Sequence, residues 1–456
     1  MVKRLGIVFL LVLVRGFVTA LEGGLSAWLL NAWADVSIVF VIFTLASLHW
    51  WLVRYSFDQE TIAVKGGLLF STDKKIPFEK ICSVTCERPL FFRIFGVSRV
   101  RFDTLSGTRK RADVSLTLPD KAAQEMLGLF SNKDKKILTP SAPHIMTLSA
   151  FISDSLAGAG FAAISITRLG AVAGEELEQR LTNAIDNLLH LIPSGLPPIA
   201  KTAAAVVLFG WLVEFSSNLI RYCNLTVIRD KSTLTVKGGA LTKRSSRMKI
   251  EGISFVNIKQ GLFTKLLGIY TAFVHSVGVG KKRGDITAII PPNDLSAIRK
   301  NLEELLPEYK PLQFSLRPDK RAFLGFVADP LWILIPLTLI TALTVALTEI
   351  PTKILLSLAT FVSIPAAWWL LVRIVDLFSS GIGIDDNDVI LRYSSFLKFN
   401  TVLIKRDNVI SVKLRQSLFQ RIGKRCDVFV YTKGETADRH RIRNVDKEKA
   451  RKLLRI

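Results

Sequence analysis

The sequence predicts a membrane protein of mixed α and β class: six transmembrane helices in three hairpins, each hairpin followed by a β-rich domain closed by a helix. Three observations carry this prediction. Apolar stretches of about 20 residues, long enough to cross a bilayer, come in pairs. The polar segments after the pairs alternate apolar and polar residues around glycine turns, as antiparallel strands do. The same short motifs then recur in successive segments, the mark of an internal repeat.

Composition agrees. The chain has 456 residues, 49% of them hydrophobic, and a formal net charge of +23. In a soluble protein that charge would point to nucleic acid. In a membrane protein the retention of Lys and Arg in cytoplasmic segments accounts for it.

The first hairpin occupies residues 1–53, with spans near Leu5–Leu21 and Ala34–Val53. The second occupies 145–220, with spans Ile145–Leu169 and Ile199–Ile220. Its extracytoplasmic turn, 170–198, contains an amphipathic stretch, Glu175–Leu191, with apolar residues at helical spacing. The third occupies 323–375, Phe323–Thr348 and Ile354–Val375 turning at Glu349-Ile350-Pro351. The β-rich domains fill 54–144, 221–322 and 376–456.

The repeat is read from matched motifs. Lys65-Gly66-Gly67-Leu68 matches Lys237-Gly238-Gly239-Ala240, and at the same offset Leu90-Phe91-Phe92-Arg93-Ile94-Phe95-Gly96 matches Leu262-Phe263-Thr264-Lys265-Leu266-Leu267-Gly268. The third segment carries Leu418-Phe419-Gln420-Arg421-Ile422-Gly423, one residue shorter before its glycine, and has no Gly-Gly turn. A strand of one shape precedes each signature: Ile81-Cys82-Ser83-Val84, Ile253-Ser254-Phe255-Val256 and Val409-Ile410-Ser411-Val412. Closing helices start near the capping residues Asp120, Asn293 and Asp446. Their apolar stripes are Ala123, Met126, Leu127 and Phe130, then Leu295, Ile298, Leu302 and Leu305, then Ala450, Leu453 and Leu454. About seven strands and one helix per domain is an ordinary size.

These motifs, with Arg54-Tyr55 and Arg221-Tyr222 closing two hairpins, resemble bacterial multi-pass membrane proteins with repeated pleckstrin-homology-like (PH-like) domains. The resemblance covers nearly the whole chain. It implies a bent antiparallel sheet or barrel with a C-terminal helix, a bacterial plasma membrane location, and a smaller PH-like membrane protein with one hairpin as a partner. It implies no reaction.

Sidedness follows from charge. Lys3, Arg4, Arg54, Lys133, Lys135, Lys136, Arg221, Lys320, Arg321 and Arg373 flank the proposed inner ends. Glu22, Asp35, Glu175, Glu176, Glu178, Asp186 and Glu349 lie in the hairpin turns, so the β-rich domains and both termini are expected in the cytoplasm. Val18-Thr19-Ala20 has the form of a signal-peptide cleavage site, but Arg15 interrupts the apolar run before it.

No catalytic constellation is expected. The five histidines, His49, His144, His190, His275 and His440, are scattered singly, and Cys82, Cys86, Cys223 and Cys426 lack metal or redox spacing. Neither a metal nor a cofactor is called for. Gly278 to Gly284 lacks the Walker spacing and reads as a hairpin with a basic tip.

Two kinds of residue remain as candidates. Basic clusters suited to anionic lipid headgroups or a protein partner are Arg109-Lys110-Arg111, Lys243-Arg244 with Arg247, Lys281-Lys282-Arg283, and Arg439 with Arg441. Charges inside apolar runs are Arg15, Asp154 and Glu214. At about 1.5 Å per residue the two carboxylates lie roughly 10–12 Å deep and Arg15 about 17 Å, so Arg15 is expected to pair with one of them.

The function expected is a non-enzymatic membrane scaffold whose cytoplasmic domains bind a membrane protein or anionic lipid. The alternative is a component of a transport or export system with the buried charges lining a path. Repeats of one orientation fit inverted-repeat transporters poorly. Nucleic acid is not an expected partner, because the charge is spread over three domains rather than gathered on one face with stacking aromatics.

Overall fold

The computed structural model describes residues 33, 36–45, 47–48, 51–58, 60–66, 72–104, 112–128, 136–153, 198–280, 285–310, 313–347, 352–433 and 438–454. The chain divides into two compact units, Met1–Ile81 and Cys82–Ile456. The smaller contains a short apolar helix, α1 (Val36–Leu45), and a three-stranded antiparallel sheet in the order β1 (Arg54–Phe57), β2 (Thr61–Gly66), β3 (Thr72–Pro77). Tyr55 pairs with Val64 and Ile62 with Ile76. Gly66 is required by closeness: a Cβ there would meet Val53 Cγ2 at 3.0 Å.

The larger unit repeats one plan. A long strand, a one-turn helix, two further strands and a closing helix appear first as β4 (Ile81–Arg88), α2 (Leu90–Ile94), β5 (Val97–Thr104), β6 (Val114–Pro119) and α3 (Asp120–Gly128). A short strand β7 (Lys136–Leu138) and helix α4 (Ala142–Ile152) follow, and helix α5 (Pro198–Tyr222) leads into the second copy. That copy opens with a meander, β8 (Thr226–Arg229), β9 (Thr233–Gly238) and β10 (Lys243–Lys249). It continues with β11 (Ile253–Gly261), α6 (Leu262–Leu266), β12 (Tyr270–Ser276), β13 (Ala288–Asn293) and α7 (Leu295–Leu305). After helices α8 (Phe323–Leu347) and α9 (Thr352–Ser379) the third copy runs β14 (Gly381–Ile384), β15 (Asp388–Ser395), β16 (Lys398–Lys405), β17 (Val409–Arg415), α10 (Leu418–Ile422), β18 (Arg425–Thr432), β19 (Asp438–Asp446) and α11 (Lys447–Leu454). Each copy thus has six strands of its own plan rather than seven, and β7 pairs with β8 as an added edge.

Sheets do not coincide with repeats. One seven-stranded sheet has the order β6-β5-β4-β10-β9-β8-β7, a six-stranded sheet has β13-β12-β11-β16-β15-β14, and β17-β18-β19 stand as a sheet of three. The second halves of the first and second copies are therefore continued, strand to strand, by the first half of the next. Hydrophobic cores are shared in the same way: one contains Leu234, Ile258, Ile298 and Leu302 together with Ile390 and Leu403 of the third copy. A second joins Phe255 of the second copy to Leu391, Val428, Val430 and Ile442. Burying each aliphatic side chain is worth about 1.5–3 kcal/mol, so the joined repeats stabilise one another.

The closing helices bury part of each expected stripe: Leu295 is 37% exposed, Leu127, Leu453 and Leu454 are half-buried, and Phe130 lies outside the described residues. Ala123, Met126, Ile298, Leu302, Leu305 and Ala450 are buried. The N-cap position of the second is Asp294, one residue beyond Asn293 and without a side-chain capping bond, whereas Asp446 accepts from the Lys449 amide at 2.9 Å.

Two helical regions among the described residues are long and apolar enough to cross a membrane, Lys320–Leu347 and Val362–Ser379. Helices α1 and α4 are apolar but short. Helix α5 has 25 residues but carries Lys201 and Glu214. The expected first span near Leu5–Leu21 and the amphipathic stretch Glu175–Leu191 lie outside the described residues.

The signature needs one correction. Gly96 and Gly268 end the short helices at φ +62° and +68°, but the left-handed residue of the third copy is Lys424, at φ +50°, not Gly423. The third signature is thus not one residue shorter; its left-handed position holds a lysine. In place of a Gly-Gly turn the third meander has Phe396 at φ +52°, held against Trp369 with ring centroids 5.6 Å apart.

Candidate functional site

The first junction forms where β10 lies antiparallel to β4, Arg244 opposite Glu87 and Ser246 opposite Thr85. Arg101, its side chain 3% exposed, donates to Glu87 at 2.8 Å and to Asp285 of the second copy at 2.9 Å. Arg244 approaches Glu87 at 3.6 Å, and the Thr85 hydroxyl donates to Ser246 at 3.3 Å. A buried arginine is tolerable only when its charge is matched, and two carboxylates from different repeats match it. Gly278, at φ +86°, crosses over this face so closely that a Cβ would stand 2.2 Å from Ser83 Oγ.

The second junction has the same geometry with other chemistry. Asn400 of β16 lies opposite Lys259 and Val402 opposite Asn257. Phe255 stacks on His275 at 4.4 Å and meets His440 of the third copy edge-on at 4.8 Å. Tyr393 Oη and His440 Nδ1 are 2.9 Å apart. Burial holds His275 neutral, its pKa pushed down to about 3 with help from Lys259, and pushes His440 down to about 4. Beside this junction a cavity of about 250 Å³ is lined by Arg221, Tyr222, Lys259, Lys398 and Asp285 among others. Burial and the neighbouring Lys398 push Lys259 down to about 8.

The one-turn helices α2, α6 and α10 each follow a strand end, α2 behind Pro89 and without a side-chain cap, α6 and α10 with one. Thr264 Oγ1 accepts from the Gly261 amide at 2.7 Å, and Ser417 and Gln420 form a reciprocal capping box. Apart from Leu262, which is buried, most of their large apolar side chains point into solvent rather than a core. Phe91, Ile94 and Phe95 are more than two-thirds exposed, Leu266 is 77% exposed, and Phe419 and Ile422 reach 87% and 85%. The three helices thus expose large apolar side chains in equivalent places.

The middle patch meets a membrane-length helix. Phe263 lies 4.7 Å from Trp368 of α9, and Leu262 packs with Val372 and Phe399, while Lys265 Nζ sits 4.2 Å over the Phe399 ring. Below this level α9 enters protein. Arg373 donates to Ser394 at 2.9 Å, Ser394 donates to Asp376 at 2.8 Å, and Arg373 lies 3.9 Å from Asp329, which also pairs with Arg443. Helices α8 and α9 are in this way bolted to β15 and β19.

The basic candidates divide. Lys243, Arg244 and Arg247 are on strand β10, not on a loop: Arg244 belongs to the first junction, and Arg247 donates to Thr235 and to the Leu127 carbonyl. Arg439 and Arg441 lie on β19, both over the Phe429 ring, and Arg441 pairs with Asp427. Arg109, Lys110, Arg111, Lys281, Lys282 and Arg283 lie outside the described residues, as do Arg15 and Asp154. Glu214 is half-buried on α5.

Sequence reasoning passed over Arg101, Glu87 and Asp285, whose partners are distant along the chain and leave no local signal. Asp329 did leave one, as a lone carboxylate in an apolar run. Among the described residues no group of three His, Cys, Asp or Glu side chains could hold a metal ion.

Strand-joined sheets, a capping helix per repeat and helices of membrane length define a membrane protein built from tandem β domains. The bacterial PH domain profile matches residues 8–132, 166–306 and 332–456, and the chain belongs to that family. It is similar to the UPF0699 transmembrane protein YdbT of Bacillus subtilis (strain 168), 19% identical over 448 residues that cover 92% of this chain and 88% of the relative. No solved structure matches the chain.

Proposed function

We propose that the protein is a non-enzymatic membrane scaffold: three hairpins anchor it in the plasma membrane, and the PH-like domains lie edge to edge along the cytoplasmic surface, binding anionic headgroups or another membrane protein. The contact of Phe263 with Trp368 carries this reading. Tryptophans gather at membrane interfaces, and Trp332, Trp368 and Trp369 all lie on α8 and α9. At that depth the exposed apolar side chains of α6 dip into the boundary between headgroups and acyl chains, and α2 and α10 do the same in their repeats. Nearby Lys and Arg then add about 1 kcal/mol each through anionic lipid.

A spin label at Phe419→Cys in proteoliposomes containing phosphatidylglycerol tests the seating. The expected label collides with dissolved oxygen and is shielded from a water-soluble nickel chelate; the reverse order removes the reading. Reporters fused after residues 130, 305 and 456 test sidedness, and activity outside the cell would overturn it.

A further inference from the structure

The two junctions are one pairing used twice. Sequence equivalence places Glu87, Lys259 and Arg415 at the same point of β4, β11 and β17, and Thr85, Asn257 and Lys413 two residues earlier. The pairs Arg244 to Glu87 and Asn400 to Lys259 are then the same rung, as are Ser246 to Thr85 and Val402 to Asn257. There is no slip between them. Register is fixed this firmly where both faces of a strand pair are packed.

The third strand of the set is uncovered. Among the described residues β17 pairs only with β18, and its outer edge has no strand. Ile410 is 57% exposed, and Ser411, Lys413 and Arg415 are exposed. At the first junction Gly278 covers Ser83 and Asp103, and at the second His440 covers Phe255. The matching rung of the third sheet, Ser411 opposite Tyr431, has no such cover among the described residues. An exposed strand edge is a template for another strand.

Charge selects the occupant. The outer face carries Lys413 opposite Phe429, then Arg441 opposite Phe429, with Arg415 and Arg439 beside them. The same register would set this chain's own Lys74, on β3, directly against Lys413, and like charges so placed repel. A second copy is the wrong partner. At the first junction the rung of Arg415 is a salt bridge of opposite polarity, Glu87 on this strand and Arg244 on the incoming one.

We propose that β17 accepts the third strand of a PH-like domain from a different protein, one bearing Asp or Glu where it faces Lys413 or Arg415, so that the partner continues the row as the next repeat. The inference rests on the scaffold reading and names the surface that reading lacks.

The test places p-benzoylphenylalanine at Ser411 in the 456-residue chain in its native membrane, irradiates, and maps the adduct by mass. The expected adduct lies in another chain's PH-like domain, on the strand aligned with β10 and β16, within two residues of a carboxylate. Lys413→Glu, opposite Phe429 rather than a charge, should lower its yield at least ten-fold at unchanged thermal midpoint. Adducts on residues 72–77 of a second copy, adducts on lipid alone, or a yield indifferent to charge reversal overturn the proposal. Lipid adducts alone leave the scaffold reading standing, since the spin-label depth decides that separately.

Discussion

Asn257 donates its side-chain amide to Asn400 at 3.0 Å across the strand pair that fuses the second repeat to the third. The bond gives the buried Asn257 donor and the Asn400 acceptor a partner across the seam, where either alone would be costly. The seam is thus specified by hydrogen bonding as well as by apolar burial, and the second and third repeats share one sheet there rather than hanging as beads on a tether.

Arg101→Ala should cost about 3–5 kcal/mol, because it removes the buried cation that bridges Glu87 and Asp285 and leaves Glu87 only the more distant Arg244. Hydrogen exchange should rise first in β4 and β10, the strands of the first junction, while β17–β19 stay protected. Equal deprotection everywhere would show that the junctions unfold together.

Acid should loosen the second junction. His275 and His440 are held neutral in the folded chain, at about 3 and about 4, against about 6.5 when unfolded. Between those values the unfolded chain binds protons that the folded chain does not, so stability is intact above about pH 6.5 and falls as pH drops below it. The slope is at most about 1.4 kcal/mol per pH unit for each histidine. Thermal midpoints between pH 7.5 and 5 measure it, and His440→Gln should roughly halve the slope.

Lys424→Gly should stabilise the third domain by about 1 kcal/mol. A lysine at φ +50° carries the left-handed cost that Gly96 and Gly268 avoid in the other copies. Denaturant midpoints of the two chains settle the sign.

Gly278→Val should destabilise by about 2–4 kcal/mol, through a strained φ and overpacking. The added Cβ would stand 2.2 Å from Ser83 Oγ and 2.4 Å from Asp103 Cβ. Pairing Gly278→Val with Ser83→Gly should recover part of the loss, as the same denaturation assay would read.

Much of the domain plan was legible. The Ile-x-x-Val strands, the capped closing helices and the repeat of the signature are local, and periodicity reports local structure directly. The signature was read as a landmark only, because a run such as Leu418-Phe419-Gln420-Arg421-Ile422 does not say whether its apolar side chains face a core. Likewise Lys243, Arg244 and Arg247 read as a basic cluster, since nothing nearby in sequence announces that Glu87 takes up Arg244 and that Leu127 and Thr235 take up Arg247.

The sequence by itself determined the repeat, the mixed class and the family, because each depends on residues a few positions apart. Only the tertiary structure decided which strand edges are joined. Edge pairing is made by backbone groups that every residue carries, so it leaves little trace in side-chain pattern. Its selection comes from distant charges such as Arg101 and Asp285 meeting in a dry seam.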